Sequence, residues 1–127
     1  EFRTEVVFIK KVAAGQPLSY GATYVTDNET FIASLPVGYG DGYNRLLSSK
    51  GIILINGKKY KVAGRVCMDQ LLIDLGSETD VDLYDEATLF GEGPDAQTAE
   101  DLALMLDTIP YEITCNVNKR VPRVYIP

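Results

Sequence analysis

The sequence predicts a mainly β domain, an antiparallel barrel or sandwich with one short α-helix. Apolar runs of strand length recur along its 127 residues and are separated by turn residues at short intervals. Asn56-Gly57 lies between two of these runs and favours a two-residue hairpin turn, because both central positions of that turn need positive φ. Clear helical spacing of apolar side chains stands out over residues 99–107.

β-Branched and aromatic residues locate the individual strands. The strands are predicted over residues 5–9, 23–26, 30–33, 52–55, 58–62, 71–75, 87–90, 111–116 and 123–126. Residues 27–29 are turn formers, which predicts that the second and third strands form a hairpin. Pro122 and Pro127 are expected at strand ends or edges, because proline cannot donate a backbone hydrogen bond to a neighbouring strand.

The helix over residues 99–107 has a clear start. Thr98 is the predicted N-cap, and Glu100 and Asp101 place negative charge in the first turn, where the helix dipole favours it. The apolar stripe consists of Leu102, Met105, Leu106 and Ile109. This stripe predicts packing against a sheet rather than a cofactor site.

Composition predicts a single folded domain, residues 1–127. Hydrophobic residues make up 46% and charged residues 24% of the chain, and the formal net charge is −6. A surface of this sign repels a phosphate backbone, so we expect no nucleic-acid partner. Its apolar runs are far shorter than the ~20 residues that cross a bilayer, so we also expect no membrane contact.

The chain contains no histidine, which excludes a Ser-His-Asp triad, a Cys-His dyad and a histidine-ligated zinc site within it. Acid–base chemistry is left to Asp, Glu, Lys, Cys or Tyr, and tyrosine is present in eight copies. Cys67 and Cys115 are too few for a four-ligand zinc site. We predict that both are buried free thiols and that no metal binds.

Three segments carry residues that strands do not require: residues 18–23, 35–45 and 64–70. The first is open to two readings, a bulge with a packed tyrosine or a functional loop. The second alternates glycines with tyrosine and aspartate, as in a glycine-rich turn or a loop that approaches another group closely. In the third, Arg65 either forms a structural ion pair or lies at the mouth of a cavity, and Cys67 is read as a small core residue.

Together these segments resemble the C-terminal domain of alanine racemases, and the resemblance covers essentially the whole chain. The matching motifs are Ser19-Tyr20-Gly21-Ala22-Thr23-Tyr24, Pro36-Val37-Gly38-Tyr39-Gly40-Asp41-Gly42-Tyr43-Asn44-Arg45, Gly64-Arg65-Val66-Cys67-Met68-Asp69-Gln70, Ile109-Pro110-Tyr111-Glu112-Ile113 and Lys119-Arg120-Val121-Pro122-Arg123. The family loop commonly has Ala and Pro where this chain has Gly40 and Asn44, a departure that loosens the loop.

The resemblance implies a bacterial enzyme that uses pyridoxal 5′-phosphate to interconvert L- and D-alanine for peptidoglycan synthesis in the cytoplasm. Family members are head-to-tail homodimers. An N-terminal (β/α)₈ barrel carries the Schiff-base lysine, and the C-terminal domain completes the active site of the other subunit. The chain opens at Glu1 without an initiating methionine, so we expect a fragment that lacks the barrel and is inactive alone.

The resemblance also implies roles for individual residues. Tyr20 matches the tyrosine base, which needs partners to accept a proton near neutral pH because a phenol has a pKa of about 10. The remaining matches are Met68 (backbone N–H to the substrate carboxylate), Asp69 (active site), Tyr111 (cofactor phosphate), Tyr39, Arg45 and Arg65 (substrate access channel) and Arg123 (further out near the channel).

Two alternative functions remain open from the sequence. One is a non-catalytic binding or assembly module that kept the fold and lost its partner domain. The other is a racemase for serine or another small amino acid, because the pocket that reads the substrate side chain lies partly outside this chain.

Overall fold

The computed structural model describes the backbone of residues 1–127 and every side chain except that of Tyr20. The strands are β1 (Phe2–Glu5), β2 (Phe8–Val12), β3 (Pro17–Leu18), β4 (Tyr24–Val25), β5 (Thr30–Leu35), β6 (Ile52–Ile55), β7 (Lys58–Lys61), β8 (Leu71–Gly76) and β9 (Glu86–Phe90). The helices are α1 (Ala99–Leu106) and α2 (Pro110–Cys115). Short 3₁₀ turns cover Tyr20–Ala22 and Arg45–Leu47.

The strands form three antiparallel sheets, which confirms the mainly β antiparallel prediction. A four-stranded sheet has the order β1-β9-β6-β7, a three-stranded sheet has the order β2-β5-β8, and β3 pairs with β4. Side chains that alternate inward from β5, β6, β8 and β9 make the core, and β8 alternates buried and half-buried positions along its whole length.

The hairpin around Asn56-Gly57 is confirmed. β6 and β7 pair in register from Ile52 opposite Lys61 to Ile55 opposite Lys58. Asn56 has φ 51° and Gly57 has φ 74°, which is the pair of positive angles that this turn demands.

The predicted hairpin between residues 23–26 and 30–33 is wrong. β4 pairs with β3, and β5 lies between β2 and β8. Thr26 explains the difference: its hydroxyl donates to the Ala13 carbonyl over 2.7 Å, and its backbone N–H donates to the Gln16 carbonyl. These contacts turn β4 toward the preceding chain before β5 begins.

The predicted strand over residues 5–9 is broken in two. The Val6 N–H donates to the Asp85 carbonyl, and the Val7 N–H donates to the Ser34 carbonyl. Neighbouring residues therefore bond to different sheets, and the chain passes from the four-stranded to the three-stranded sheet at this point.

α1 confirms the predicted helix. The Thr98 side chain accepts from the Asp101 N–H, and the Asp101 side chain accepts from the Thr98 N–H, which is a complete capping box. Leu102 and Ala103 are buried against the core, and the helix stops where Asp107 takes left-handed angles.

The predicted strands over residues 111–116 and 123–126 are wrong. Residues 110–115 form α2, because Pro110 fits the first turn of a helix and α2 can pack against α1. Residues 122–127 have no strand partner in the described structure, so Pro122 and Pro127 do not flank a strand.

Both cysteines are free, but Cys67 is only half-buried and Cys115 is exposed, so the prediction of two buried thiols is wrong. Cys67 also lies outside the hydrophobic core, so its reading as a core residue is wrong as well. Among the described side chains, no cluster of three or more His, Cys, Asp or Glu is placed to hold a metal ion. Neither helix of the described backbone has the length and hydropathy of a membrane span.

Candidate functional site

The glycine-rich loop after β5 lies against the Cys67-Met68 backbone. The Tyr39 N–H donates to the Cys67 carbonyl over 3.0 Å, and the Gly40 N–H donates to the Met68 carbonyl over 2.9 Å. A Cβ at Gly38 would lie 1.9 Å from the Cys67 carbonyl oxygen, so only glycine fits there. The reading of this loop as a close backbone approach is therefore correct.

An open pocket of about 300 Å³ lies where this loop meets the Arg65 segment. Its lining consists of Tyr39, Arg45, Arg65, Val66, Cys67 and Met68. No described carboxylate forms an ion pair with Arg45 or Arg65. Of the two readings of Arg65, the structure favours the cavity edge over the structural ion pair.

The loop that contains Tyr20 is fastened to the backbone of Arg65 by one hydroxyl. Ser19 Oγ accepts from the Arg65 N–H over 2.7 Å and donates to the Arg65 carbonyl over 3.2 Å. Gly64 makes this contact possible, because a Cβ there would lie 2.5 Å from the Ser19 Cβ. The loop has an unusual backbone, with φ 71° at Ser19 and φ 51° at Ala22.

The side chain of Tyr20 lies outside the described part of the structure, so its role as a base stays a prediction. The backbone beside it is informative. A Cβ at Gly21 would lie 3.8 Å from Nε of Arg65. The Arg65 guanidinium therefore lies beside the backbone of the Tyr20 loop.

Met68 lines the pocket and is half-exposed. It lies in a turn closed by a hydrogen bond from the Cys67 N–H to the Gln70 carbonyl. Among the described residues, the Met68 N–H has no hydrogen-bond acceptor.

Asp69 is held by a residue to which the sequence analysis assigned no role, Arg120. Nη2 of Arg120 donates to Asp69 Oδ1 over 2.8 Å, and Nε donates to Asp41 Oδ1 over 2.7 Å. Hydrogen bonds first to Asp69 and then to Asp41 raise the pKa of the Arg120 guanidinium above its usual value. Arg120 stands in the Lys119–Arg123 motif, but nothing in local sequence shows that it reaches two other segments.

Tyr111 and Arg123 lie apart from the pocket lining. Tyr111 is in the first turn of α2, and 78% of its surface is exposed. The Arg123 guanidinium donates to the carbonyls of Asn118, Val121 and Val117 over 2.6–2.8 Å. Arg123 therefore organises its own segment in this structure and does not face the pocket.

A larger open groove, of about 330 Å³, lies over β2 and β5 between Phe8, Lys10 and Gln16. Leu18 lines it, but none of the candidate site residues does. Four of those candidates, Tyr39, Arg45, Arg65 and Met68, line the smaller pocket instead.

The family profile described as "Alanine racemase, C-terminal domain" matches residues 1–125. The chain belongs to this family. Among curated members, the alanine racemase of Desulforamulus reducens is 51% identical over 124 residues, which cover 98% of this chain and 33% of that protein. The alanine racemase of Carboxydothermus hydrogenoformans is 50% identical over 125 residues, or 98% of this chain and 34% of that protein. The chain thus spans about a third of the length of these alanine racemases.

Solved alanine racemase structures share the fold. The enzyme from Streptomyces lavendulae superposes with a TM-score of 0.92 at 43% identity, over 98% of this chain and 33% of that one. The Bacillus anthracis alanine racemase with bound L-Ala-P gives a TM-score of 0.91 at 40% identity, over 98% of this chain and 32% of that one. In each, the match falls on about one third of the alanine racemase chain.

Proposed function

We propose that this domain is the C-terminal part of a pyridoxal 5′-phosphate-dependent alanine racemase and supplies Tyr20 as one of the two bases. The observation that carries the proposal is that Arg65 lines the open pocket beside Met68 and also holds the Tyr20 loop through the Ser19 hydroxyl. The named relatives and the Bacillus anthracis structure with L-Ala-P support alanine as the substrate. The product would serve peptidoglycan synthesis in the cytoplasm.

The pocket suits a substrate with a carboxylate. Arg45 and Arg65 have no carboxylate partner among the described side chains, so their charges attract an anionic amino acid toward the pocket. The Met68 N–H then donates to the bound carboxylate, since a backbone donor of this kind keeps its direction while the substrate reacts. These contacts hold the α-carbon in one place relative to the bases.

The proton transfer needs a base on each face of the α-carbon, because racemisation removes a proton from one face and returns one to the other. Tyr20 provides the phenol on one face. The Arg65 cation next to its loop stabilises the phenolate form, as an opposite charge does at short range. The Ser19 hydroxyl fixes the separation between the loop and Arg65.

The cofactor supplies the electron sink that stabilises negative charge at the α-carbon. Tyr111 fits a role in binding the cofactor phosphate. Its side chain is largely exposed on α2, and its hydroxyl can donate a hydrogen bond to a phosphate oxygen. The lysine that holds the cofactor is also the second base, and it belongs to the barrel of the partner subunit. The proposal therefore includes a homodimer.

The test is Tyr20→Phe in the full-length protein that contains this chain. Because L- and D-alanine have equal free energies, kcat/KM must fall equally in both directions, and we expect a loss of ~10²–10⁴-fold. Exchange of the α-hydrogen with ²H₂O reports each base separately. In Tyr20→Phe, the rate of α-hydrogen exchange from one enantiomer should fall as far as the rate of racemisation does. The exchange rate from the other enantiomer should fall much less.

Tyr84→Phe is the matched control, because it removes a hydroxyl from a tyrosine that is 70% exposed and does not line the pocket. It should leave both rates unchanged. Equal, mild losses of exchange from both enantiomers in Tyr20→Phe would contradict a role as base. If the wild-type protein racemises serine faster than alanine, the assigned substrate becomes serine. If it racemises neither amino acid, the result favours a non-catalytic binding module.

A further inference from the structure

We propose that Arg120 is a positioning residue for the substrate-binding segment at Met68 and Asp69; the inference rests on the proposed function. Its guanidinium joins three segments that are far apart in sequence. It donates to Asp41 in the glycine-rich loop and to Asp69 beside Met68, and it belongs to the segment after α2.

The two bonds come from different nitrogens of one rigid plane. Nε faces Asp41 over 2.7 Å, and Nη2 faces Asp69 over 2.8 Å. A planar guanidinium with two directed donors sets both the distance and the angle between its partners. Arg120 therefore fixes where Asp69 lies relative to the glycine-rich loop.

This geometry extends to the Met68 backbone. The Met68 carbonyl already accepts from the Gly40 N–H, and Asp41 accepts from the Gly38 N–H over 3.1 Å. The guanidinium bonds to Asp69, which follows Met68, and to Asp41, which follows Gly40. It therefore continues the pairing of these two segments beyond their last backbone hydrogen bond. The Met68 N–H shares its peptide plane with the Cys67 carbonyl, which accepts from the Tyr39 N–H. Because the next peptide is held as well, by Gly40 and through Asp69 by Arg120, the direction of the Met68 N–H is set.

Arg120 is itself held by its own segment. The Arg120 N–H donates to the Asn118 side chain over 3.0 Å, and the Asn118 N–H donates to the Asp41 carbonyl over 2.9 Å. Arg123 donates to three carbonyls of the same segment. Hydrogen bonds within this segment therefore fix the backbone that carries the Arg120 side chain.

Gly40 provides the room that the guanidinium occupies. A Cβ at Gly40 would lie 2.5 Å from Nη2 of Arg120 and 3.0 Å from the Met68 carbonyl oxygen. The absence of a side chain at this position lets Arg120 lie flat across the loop.

The Arg120–Asp69 ion pair, which holds the substrate-binding segment, is too exposed to act mainly through stability. The Arg120 side chain is 47% exposed and that of Asp69 is 68% exposed, and pairs of this kind contribute little to folding. The expected effect of losing Arg120 is therefore on substrate binding. A donor that binds the carboxylate equally in the ground and transition states changes KM and leaves kcat nearly unchanged.

The experiment measures kcat and KM for alanine in the full-length protein with Arg120→Ala, Arg120→Lys and the control Lys119→Ala. Lys119 is the exposed neighbour with the same charge and no carboxylate partner among the described side chains. We expect KM to rise about tenfold in both Arg120 variants with kcat within about threefold. Arg120→Lys should not restore the wild-type KM, because an ammonium group lacks the planar pair of donors. Lys119→Ala should match the wild type.

A KM within about twofold of the wild type in Arg120→Lys would overturn the inference. The lysine variant alone tests the inference if the alanine variant fails to fold. A fall in kcat at unchanged KM would also overturn it. ¹⁵N relaxation on the 127-residue chain adds a readout that does not need activity. The order parameter of the Met68 amide should fall from about 0.85 toward 0.6 in Arg120→Lys and stay high in Lys119→Ala. An inactive wild-type protein with this relaxation result would reject the racemase proposal and keep the positioning role.

Discussion

Tyr43 has a buried hydroxyl without a hydrogen-bond partner among the described atoms. The residue is 1% exposed, and its Oη lies against Gly51, where a Cβ would be 1.9 Å away. Burial alone raises the pKa of the Tyr43 phenol well above its usual value. A buried hydroxyl that makes no bond costs free energy, whereas the ring itself fills the core.

Tyr43→Phe should therefore be neutral or raise the free energy of unfolding by up to about 1 kcal/mol at pH 7. Chemical denaturation of the wild type and the variant measures this. Tyr24→Phe serves as the contrasting substitution, because that hydroxyl donates to Asp74. A loss of more than about 1 kcal/mol in Tyr43→Phe would mean that the hydroxyl has a partner in solution.

The positive backbone angles of Ser19 and Ala22 show what single residues contribute to the site. Gly21 in this loop has φ 75° and ψ 12°, a region that glycine enters readily. Ser19, with φ 71° and ψ 169°, and Ala22, with φ 51°, also have positive φ but lack the freedom of glycine. The Ser19 contacts with Arg65, which come from a distant part of the chain, offset that cost.

At the scale of elements, one carboxylate joins three strands near the Tyr20 loop. Asp74 in β8 accepts from the Tyr24 hydroxyl of β4 over 2.7 Å and from the Thr30 hydroxyl of β5. It also accepts from the Gly76 N–H over 2.9 Å. Burial, and then the hydrogen bond to Asp74, raise the pKa of Tyr24 to about 12.

This network predicts a loss of stability in alkali. The folded-state pKa of Tyr24 lies above the usual tyrosine value of 10.0. The contribution of Tyr24 to stability is therefore complete below about pH 10 and is lost as pH rises through about 12. Tyr24→Phe should lower the free energy of unfolding by about 1–2 kcal/mol at pH 7 and should flatten its decline above pH 10.

Urea denaturation between pH 7 and about pH 11.5 measures the effect, with Tyr125→Phe as the control for a tyrosine that is 89% exposed. The control should follow the wild type across the range. Parallel curves for Tyr24→Phe and the wild type above pH 10 would contradict the assignment to Tyr24.

Local sequence predicts some elements and fails on others for physical reasons. The β6–β7 hairpin and α1 were predictable because their turn and cap residues act within a few positions of the strands and helix that they define. α2 was missed because its six residues include β-branched side chains, and its helical form depends on packing against α1. The partners of β4 and β5 were missed because sheet pairing is decided between distant segments.

At the scale of the whole molecule, the chain has an open pocket next to exposed apolar surface. Several large apolar or aromatic side chains around the pocket, on α2 or beyond α2 are exposed. These are Tyr39, Met68, Tyr111, Val124, Tyr125 and Ile126. The chain also spans about a third of the alanine racemases that it matches. The proposed function assigns the remaining parts of the site to a barrel.

The 127-residue chain alone should therefore show no racemase activity with added pyridoxal 5′-phosphate. A chiral assay for D-alanine, run beside the full-length protein at equal concentration, measures this. D-alanine above the level of free cofactor would show that one domain suffices and would overturn the two-domain argument.

The sequence by itself determined the fold class and the family and named the candidate site residues, because these depend on residue types and short spacings. Tertiary structure decided how those residues contact one another. It placed Arg65 beside the Tyr20 loop, left the Met68 N–H without an acceptor among the described residues and brought Arg120 to Asp41 and Asp69. Such contacts join segments tens of residues apart, and they exist only once the core has set the distances between the strands.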